Sequence, residues 1–210
     1  MLTVFAISDL HGYLPEIPKC EMVLLGGDYA PTRNIDQQER FFKGEFSDWL
    51  QKIQAKYVIG IGGNHDFILQ ENPRLAQNLP WIYLQDTPIE IETIKIYGTP
   101  WTPIYHDWAF MKPEPELAEI YKQIPEGLDI LLAHGPAYRF LDRTREGTHV
   151  GSYALLDRIR EVYPDTVVCG HIHEARGIAD NGVTRFFNVS HVTRDLEPKH
   201  NPVYIPLRGL

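Results

Sequence analysis

Cysteine is scarce in this chain: Cys20 and Cys169 are the only two, far apart and in no C-x-x-C spacing. That argues against a disulfide framework and points to two free thiols in a reducing compartment, the cytoplasm. Basic charge is also short. Twenty Lys and Arg stand against 28 Asp and Glu, a formal net charge of −8. A protein that grips a long nucleic acid normally shows the opposite balance. An acidic protein can still bind phosphate when divalent ions supply the positive charge. No basic residue precedes the first apolar run, and that run stops at Asp9, so neither a signal peptide nor a membrane span is expected there. With no export signal, the Asn188-Val189-Ser190 sequon is set aside. Internal repeats and linker-like stretches are missing too. The 210 residues are therefore read as one α/β domain, 1–210, long enough for a sizeable core.

What is present is a recurring pattern. Val4-Phe5-Ala6-Ile7 runs into Ser8-Asp9-Leu10-His11-Gly12. Met22 to Leu25 ends in Gly26-Gly27-Asp28, and Tyr57 to Ile61 in Gly62-Gly63-Asn64-His65-Asp66. Leu128 to Leu132 ends in Ala133-His134-Gly135, and Thr166 to Cys169 in Gly170-His171-Ile172-His173. Five apolar runs thus each terminate in Asp, Asn or His beside a glycine. In an extended or turning backbone, residues i and i+2 point the same way, so Asp9 and His11 can converge on one point.

Helical spacing of Phe42, Phe46, Trp49, Leu50 and Ile53 predicts a helix over Asp36 to Lys56. Short helices are expected from Asn72-Pro73 to Leu79, from Pro115 to Ile124 and from Ser152 to Tyr163. Ile89, Ile91, Ile94 and Ile96 read as an antiparallel pair, and Asp180-Asn181-Gly182 as a hairpin turn. Trp101 to Pro115 and Arg139 to His149 read as loops, and the proline-bearing tail as a surface wrap. Strand–helix alternation with polar strand ends fits a mixed sheet whose site lies outside the carboxyl ends of its strands.

Asp9, His11, Asp28, Asn64, His134, His171 and His173 are oxygen and nitrogen donors without a thiolate. Such a set suits Mn, Fe, Zn, Ni, Co or Mg rather than a structural zinc. The donors are too many for one ion that must also admit water and substrate. They suit two ions roughly 3.5–4 Å apart, sharing one carboxylate, as in sites that clamp the attacking and leaving oxygens of an in-line displacement. Adjacent histidines such as His171 and His173 cost desolvation unless something binds them.

Taken in order, these motifs resemble the calcineurin-like metallophosphoesterases. The resemblance implies a four-layer α-β-β-α sandwich with mixed sheets. It implies Asp9, His11 and His173 on one ion, Asn64, His134 and His171 on the other, and Asp28 bridging. It also implies His65 as the catalytic histidine and Asp66 as the acid that orients it. Many members carry Asp or Arg three residues after the bridging Asp; here that place is Pro31, so support of the carboxylate must come from elsewhere. Tyr97-Gly98-Thr99-Pro100-Trp101, Asp107-Trp108-Ala109-Phe110, Phe140-Leu141-Asp142, His149-Val150-Gly151 and Phe187-Asn188-Val189-Ser190 are similar to the metallophosphoesterase-domain (MPPED-type) cyclic nucleotide phosphodiesterases.

The expected function is hydrolysis of small phosphodiesters, such as cyclic nucleotides, by a hydroxide held between two divalent ions, Mn²⁺ first among them. His65 would give a proton to the leaving oxygen. His149 would touch substrate or sit as an exposed loop histidine; Trp101, Tyr105, Trp108 and Phe110 would stack a base or anchor their loop. The alternatives are a phosphomonoesterase, a nuclease, or a non-catalytic interaction module. The acidic charge counts against the nuclease. The module reading expects lost ligands, whereas all seven are present.

Overall fold

In the computed structural model, which describes residues 2–207, the chain opens with β1 (Val4–Ile7) and β2 (Cys20–Leu25) in parallel. Met1 and residues 208–210, the ends of the span read as one domain, lie outside the described residues. The expected long helix is three pieces: α1 (Ile35–Phe41), one π-helical turn (Phe42–Phe46) and α2 (Ser47–Lys52). Asn34 caps α1 by accepting from Gln37 N at 3.0 Å. The helix ends at Lys52 rather than Lys56, because Ile53 turns extended and β3 (Ala55–Gly60) begins beside β2. The π turn lets Phe42, Phe46 and Trp49 close on Tyr29 and Trp81 as one aromatic cluster. Two short helices follow, α3 (Phe67–Glu71), which the sequence reading passed over, and α4 (Pro73–Gln77). Then comes β4 (Ile82–Tyr83), parallel to β3.

The second half lays down β5 (Thr87–Ile91) antiparallel to β6 (Ile94–Thr99), as the alternating isoleucines predict. A two-residue pair follows, β7 (Thr102–Pro103) with β8 (Met111–Lys112). Next are α5 (Glu114–Tyr121), β9 (Ile130–Ala133), α6 (Tyr153–Val162) capped by Ser152, and β10 (Thr166–Cys169). The Asp180-Asn181-Gly182 turn joins β11 (Gly177–Asp180) to β12 (Arg185–Asn188). The tail does more than wrap the surface: its β13 (Val203–Tyr204) pairs antiparallel with β1.

Two mixed sheets result, β13-β1-β2-β3-β4 and β11-β12-β10-β9-β6-β5. The central strands β1, β2, β9 and β10 are buried on both faces and so read as near-continuous apolar runs. Alternation sorts them into three cores. Val4, Ala6, Met22, Leu24 and Ile59 face Ile96, Ile130, Leu132 and Val168 between the sheets. Ile7, Val23 and Leu25 face the helices of the first half. Tyr97, Leu131 and Val167 face α5 and α6 residues such as Leu117 and Leu155. The order is helices, sheet, sheet, helices, the four-layer arrangement expected. Each buried Leu or Ile stabilises it by about 1.5–3 kcal/mol. The carboxyl ends of β1, β2, β3, β9 and β10 open on one rim. Ser8 bridges there to Ser190, joining the two sheets.

Candidate metal centre

The rim is built from strained turns. Asp9, His11, Asp28 and His171 all have left-handed backbones, with φ of 55°, 44°, 59° and 67°. For residues other than glycine this costs of order 1–3 kcal/mol each and persists where surrounding contacts impose it. Those contacts are present: Asp9 N donates to Gly27 O at 2.9 Å, His11 N to Asp28 O at 3.0 Å, and Gly12 N to Tyr29 O at 2.8 Å. Asp9 and His11 therefore converge through a turn rather than through strand alternation. Gly63 leaves room for the centre, since a Cβ there would meet Asp28 N at 2.5 Å and His134 Cε1 at 2.7 Å.

Three donor groups form, each with its ligand atoms within 4.8 Å of one another: Asp9, His11 and His173; His11, Asp28 and His65; Asp28, His134 and His171. Asn64 joins the third, its Oδ1 lying 2.8 Å from His134 Nε2. Asp28 and His11 each belong to two groups. The structure thus brings together all seven expected donors, with His65 beside them. Asp9 and Asp28 are 0 % and 1 % exposed, and among the described residues their ion pairs are with histidines: His173 Nε2 at 3.2 Å from Asp9, His134 Nε2 at 3.4 Å and His11 Nε2 at 3.9 Å from Asp28.

Burial opposes charge on Asp9, but His173 outweighs it and holds that carboxyl below its usual range. Asp28 is likewise held down, by His134 and His65 against burial. Burial lowers His171 to about 3 and His11 to about 4, leaving both rings neutral with free lone pairs. Burial also works against charge on His134, yet Asp28 lifts it to about 9. Two buried carboxylates balanced only by histidines fit divalent cations, which supply the charge while neutral imidazoles coordinate. His11 Nε2 and His173 Nε2 face each other at 3.4 Å, a further sign of convergent donors.

Partners behind the ligands fix their orientation. His134 Nδ1 lies 2.8 Å from Gly26 O and His173 Nδ1 3.1 Å from Thr193 O, leaving each Nε2 for the centre. Ser8 Oγ donates to Asp9 Oδ2 at 2.5 Å. Asp66 differs from expectation. Its carboxylate does not orient the His65 ring; its two oxygens accept from Asp28 N, Tyr29 N, Ala30 N and Gly63 N at 2.8–3.1 Å. Burial, with Asp28 beside it, lifts Asp66 to about 7 against those four amides. The support that Pro31 does not give therefore comes from Asp66, through the backbone of the Asp28 turn.

Of the two roles expected for Trp101, the structure shows the anchoring one. Its indole N–H donates to Asp86 Oδ2 at 2.6 Å and its ring packs on Phe110, so it anchors the loop. The aromatic that reaches the centre is Trp108, whose ring lies 4.8 Å from that of His65, with the Arg33 guanidinium 4.7 Å over it. His65 is flanked on its other side by His11, also at 4.8 Å. His149 lies outside the donor groups, bonded through Nδ1 to Asp142 at 2.6 Å. Asn188 stands in one of the motifs quoted above, but the sequence assigns it no role. Its buried amide ties Gly170 O, Ile172 O and Leu141 O together, holding the histidine turn. An isolated buried Asn at a strand end carries no sequence signal of that kind. Cys20 and Cys169 are both buried and unpaired, as expected.

Fold and donor set define a class, and a family model described as calcineurin-like phosphoesterase matches residues 2–175: the chain belongs to the calcineurin-like phosphoesterase family. Its members typically bind divalent metals, and the family acts on phosphoester bonds. The chain is similar to metallophosphoesterase domain-containing protein 1 of Homo sapiens, 32% identical over 231 residues that cover 96% of this chain and 69% of that protein. The fold is also that of a phosphopantetheinyl hydrolase from Mycobacterium tuberculosis, with a TM-score of 0.67 at 15% identity over 97% of this chain and 95% of that one. Among the described residues no helix is long and apolar enough to cross a membrane.

Proposed function

We propose that this chain is a metal-dependent phosphodiesterase that acts on small phosphodiesters, cyclic nucleotides among them, in the cytoplasm. The observation that carries the reading is the pair of donor groups, Asp9–His11–His173 and Asp28–His134–His171, set side by side with His65 at their edge. Asp9, His11 and His173 would hold one divalent ion, Asn64, His134 and His171 the other, and Asp28 would serve both, with Mn²⁺ the first candidate. When bound, the ions supply Lewis-acid charge for a phosphoryl centre. The protein's own part is positional. Asp66 fixes the turn that aims Asp28. His65, half-buried and next in sequence to Asn64, donates a proton to the leaving oxygen. Trp108, with the Arg33 guanidinium over its ring, stands beside His65 where it would meet an aromatic leaving group such as a base. The Trp108 ring beside His65 supports a diester over a monoester, since a diester's second substituent needs a surface. The net charge of −8 favours a small substrate over a long nucleic acid.

The test is turnover of bis-p-nitrophenyl phosphate against p-nitrophenyl phosphate in Mn²⁺-loaded protein. A higher rate on the diester is expected. A monoester rate far above it would replace this reading with a phosphomonoesterase.

A further inference from the structure

Outside the donor groups, a cavity of about 630 Å³ is lined by Arg139, Arg143, Arg145, His149, Asp142 and Glu174. Three arginines gather here in a chain that is acidic overall. Among the described residues none of their guanidinium groups has a carboxylate within ion-pair distance; the arginines that do pair with acids include Arg158, Arg160 and Arg194. Arg143 donates only its Nε, to Gly147 O within its own loop, which leaves its two terminal nitrogens. Arg139 lies over the Tyr138 ring, and Arg145 is tied through its backbone N–H to Glu174. All three are exposed, so water screens their mutual repulsion, but a dianion set among them would meet several charge-assisted donors at once.

The loop is also built. Asp142 is fully buried, with Oδ2 accepting from Arg139 N and Gly151 N at 2.9 Å and Oδ1 bonded to His149 Nδ1 at 2.6 Å. That carboxylate fixes the imidazole so that Nε2 is left for the cavity. Arg139 and Leu141 hold left-handed backbones, φ 68° and 56°, at the cavity wall. Leu141, Ala175 and Ala179 supply an apolar side.

We propose that this cavity binds an organic phosphomonoester: a dianionic phosphate met by the three arginines and His149 Nε2, carried on a short apolar skeleton that rests against Leu141 and Ala179. Two negative charges match three guanidinium groups that have no ion-pair partner among the described residues better than a single carboxylate charge does. The cavity is tied to the histidine turn of the metal centre through the chain and one buried amide. Glu174 and Ala175 directly follow His173, and Asn188 links Leu141 to the histidine turn. It takes none of the seven donors, so binding here stands apart from the function proposed above.

The test is calorimetric titration with phenylphosphonate, a dianion that cannot be hydrolysed at an ester bond. It is run on Mn²⁺-loaded wild type, on Asp28→Ala and on Arg143→Ala/Arg145→Ala. A site that persists with similar affinity in Asp28→Ala and weakens about tenfold or more in the arginine variant is expected. Benzoate should bind several-fold more weakly than phenylphosphonate. Melting curves check that the arginine variant is folded, and Arg145→Glu, a single exposed change, should weaken binding by itself. Binding that vanishes in Asp28→Ala, or that ignores the arginines, would place the anion at the metal centre only and overturn the proposal. Benzoate binding as tightly as phenylphosphonate would overturn the phosphomonoester class. Loss of diester turnover in wild type with the cavity site intact would overturn the function proposed above and leave this one standing.

Discussion

The two sheets contribute different chemistry to one rim. The first supplies both carboxylates of the donor groups, Asp9 and Asp28, with His11, Asn64 and His65. The second supplies histidines alone, His134, His171 and His173. No candidate group around Asp9 or Asp28 with His173 or His134 lies on one sheet: Asp9 and His11 need His173, and Asp28 needs His134 and His171. The carboxylates come from one side and most of the imidazoles from the other. The centre is therefore a product of sheet-on-sheet packing, and metal binding should be linked to it.

The strongest way to break this division is to remove the acid that serves both groups. Asp28→Ala should lower bound metal below two ions per chain and cut diester turnover by more than about 100-fold, beyond what loss of a mere supporting partner costs. Two ions still bound, with normal turnover, would show that Asp28 is dispensable and that the sheets do not share a ligand.

His65 sharpens the comparison from the first sheet's side, since it stands next to a ligand without an assigned ion. A general acid contributes about 10²–10⁴-fold, most where the leaving oxygen is basic. His65→Ala should keep its metal, lose little rate on a nitrophenyl diester and lose far more on a nucleotide diester. Equal losses with metal intact would make His65 a phosphate-binding group; a lost ion would make it a ligand.

The donors and the strand ends were legible because polar residues interrupt apolar runs that are buried on both faces. The third level was not. Asp66 reads as a neighbour of His65, yet its two oxygens serve four amides, three of them more than 35 residues away in sequence at Asp28, Tyr29 and Ala30. Hydrogen bonding of a carboxylate to distant backbone leaves no pattern in spacing. Trp101 and Trp108 are similar as letters, and only the partner of Trp101, Asp86, separates the anchor from the residue at the centre. The helix over Asp36 to Lys56 failed for a related reason. Its apolar period is right through Trp49 and Leu50, but pairing with β2 draws Ala55 onward into a strand, a tertiary effect that overrides propensity.

Packing between the sheets offers a third test. Leu132→Ala empties part of the inter-sheet core, and Leu155→Ala empties part of the outer core under α6; both side chains are fully buried. Each should cost about 2–5 kcal/mol in denaturant melts. Only Leu132→Ala should also weaken metal binding, because it loosens the seam that the donor groups cross. Equal metal affinity in both variants would mean that the rim holds its geometry independently of the seam.

The smallest expected effect lies at Asp86, beside the rim rather than in it. Its oxygens accept from Thr99 Oγ1 at 2.8 Å and Trp101 Nε1 at 2.6 Å, yet burial outweighs both bonds and raises its pKa above 3.8. A carboxyl raised in the folded state binds its proton more tightly there than when unfolded. Its contribution to stability is therefore complete below about 3.8 and is lost as pH rises through the folded value. Asp86→Asn removes that titration while keeping an acceptor for the indole, and Asn tolerates the left-handed backbone at φ 50°. The stability of wild type minus that of Asp86→Asn should fall as pH rises from 4 towards neutral. Groups that titrate at the metal centre are common to both proteins and cancel in the difference. A flat difference across that range would show that Asp86 is charged in the fold at no cost, and that Trp101 is anchored by something other than a strained acid.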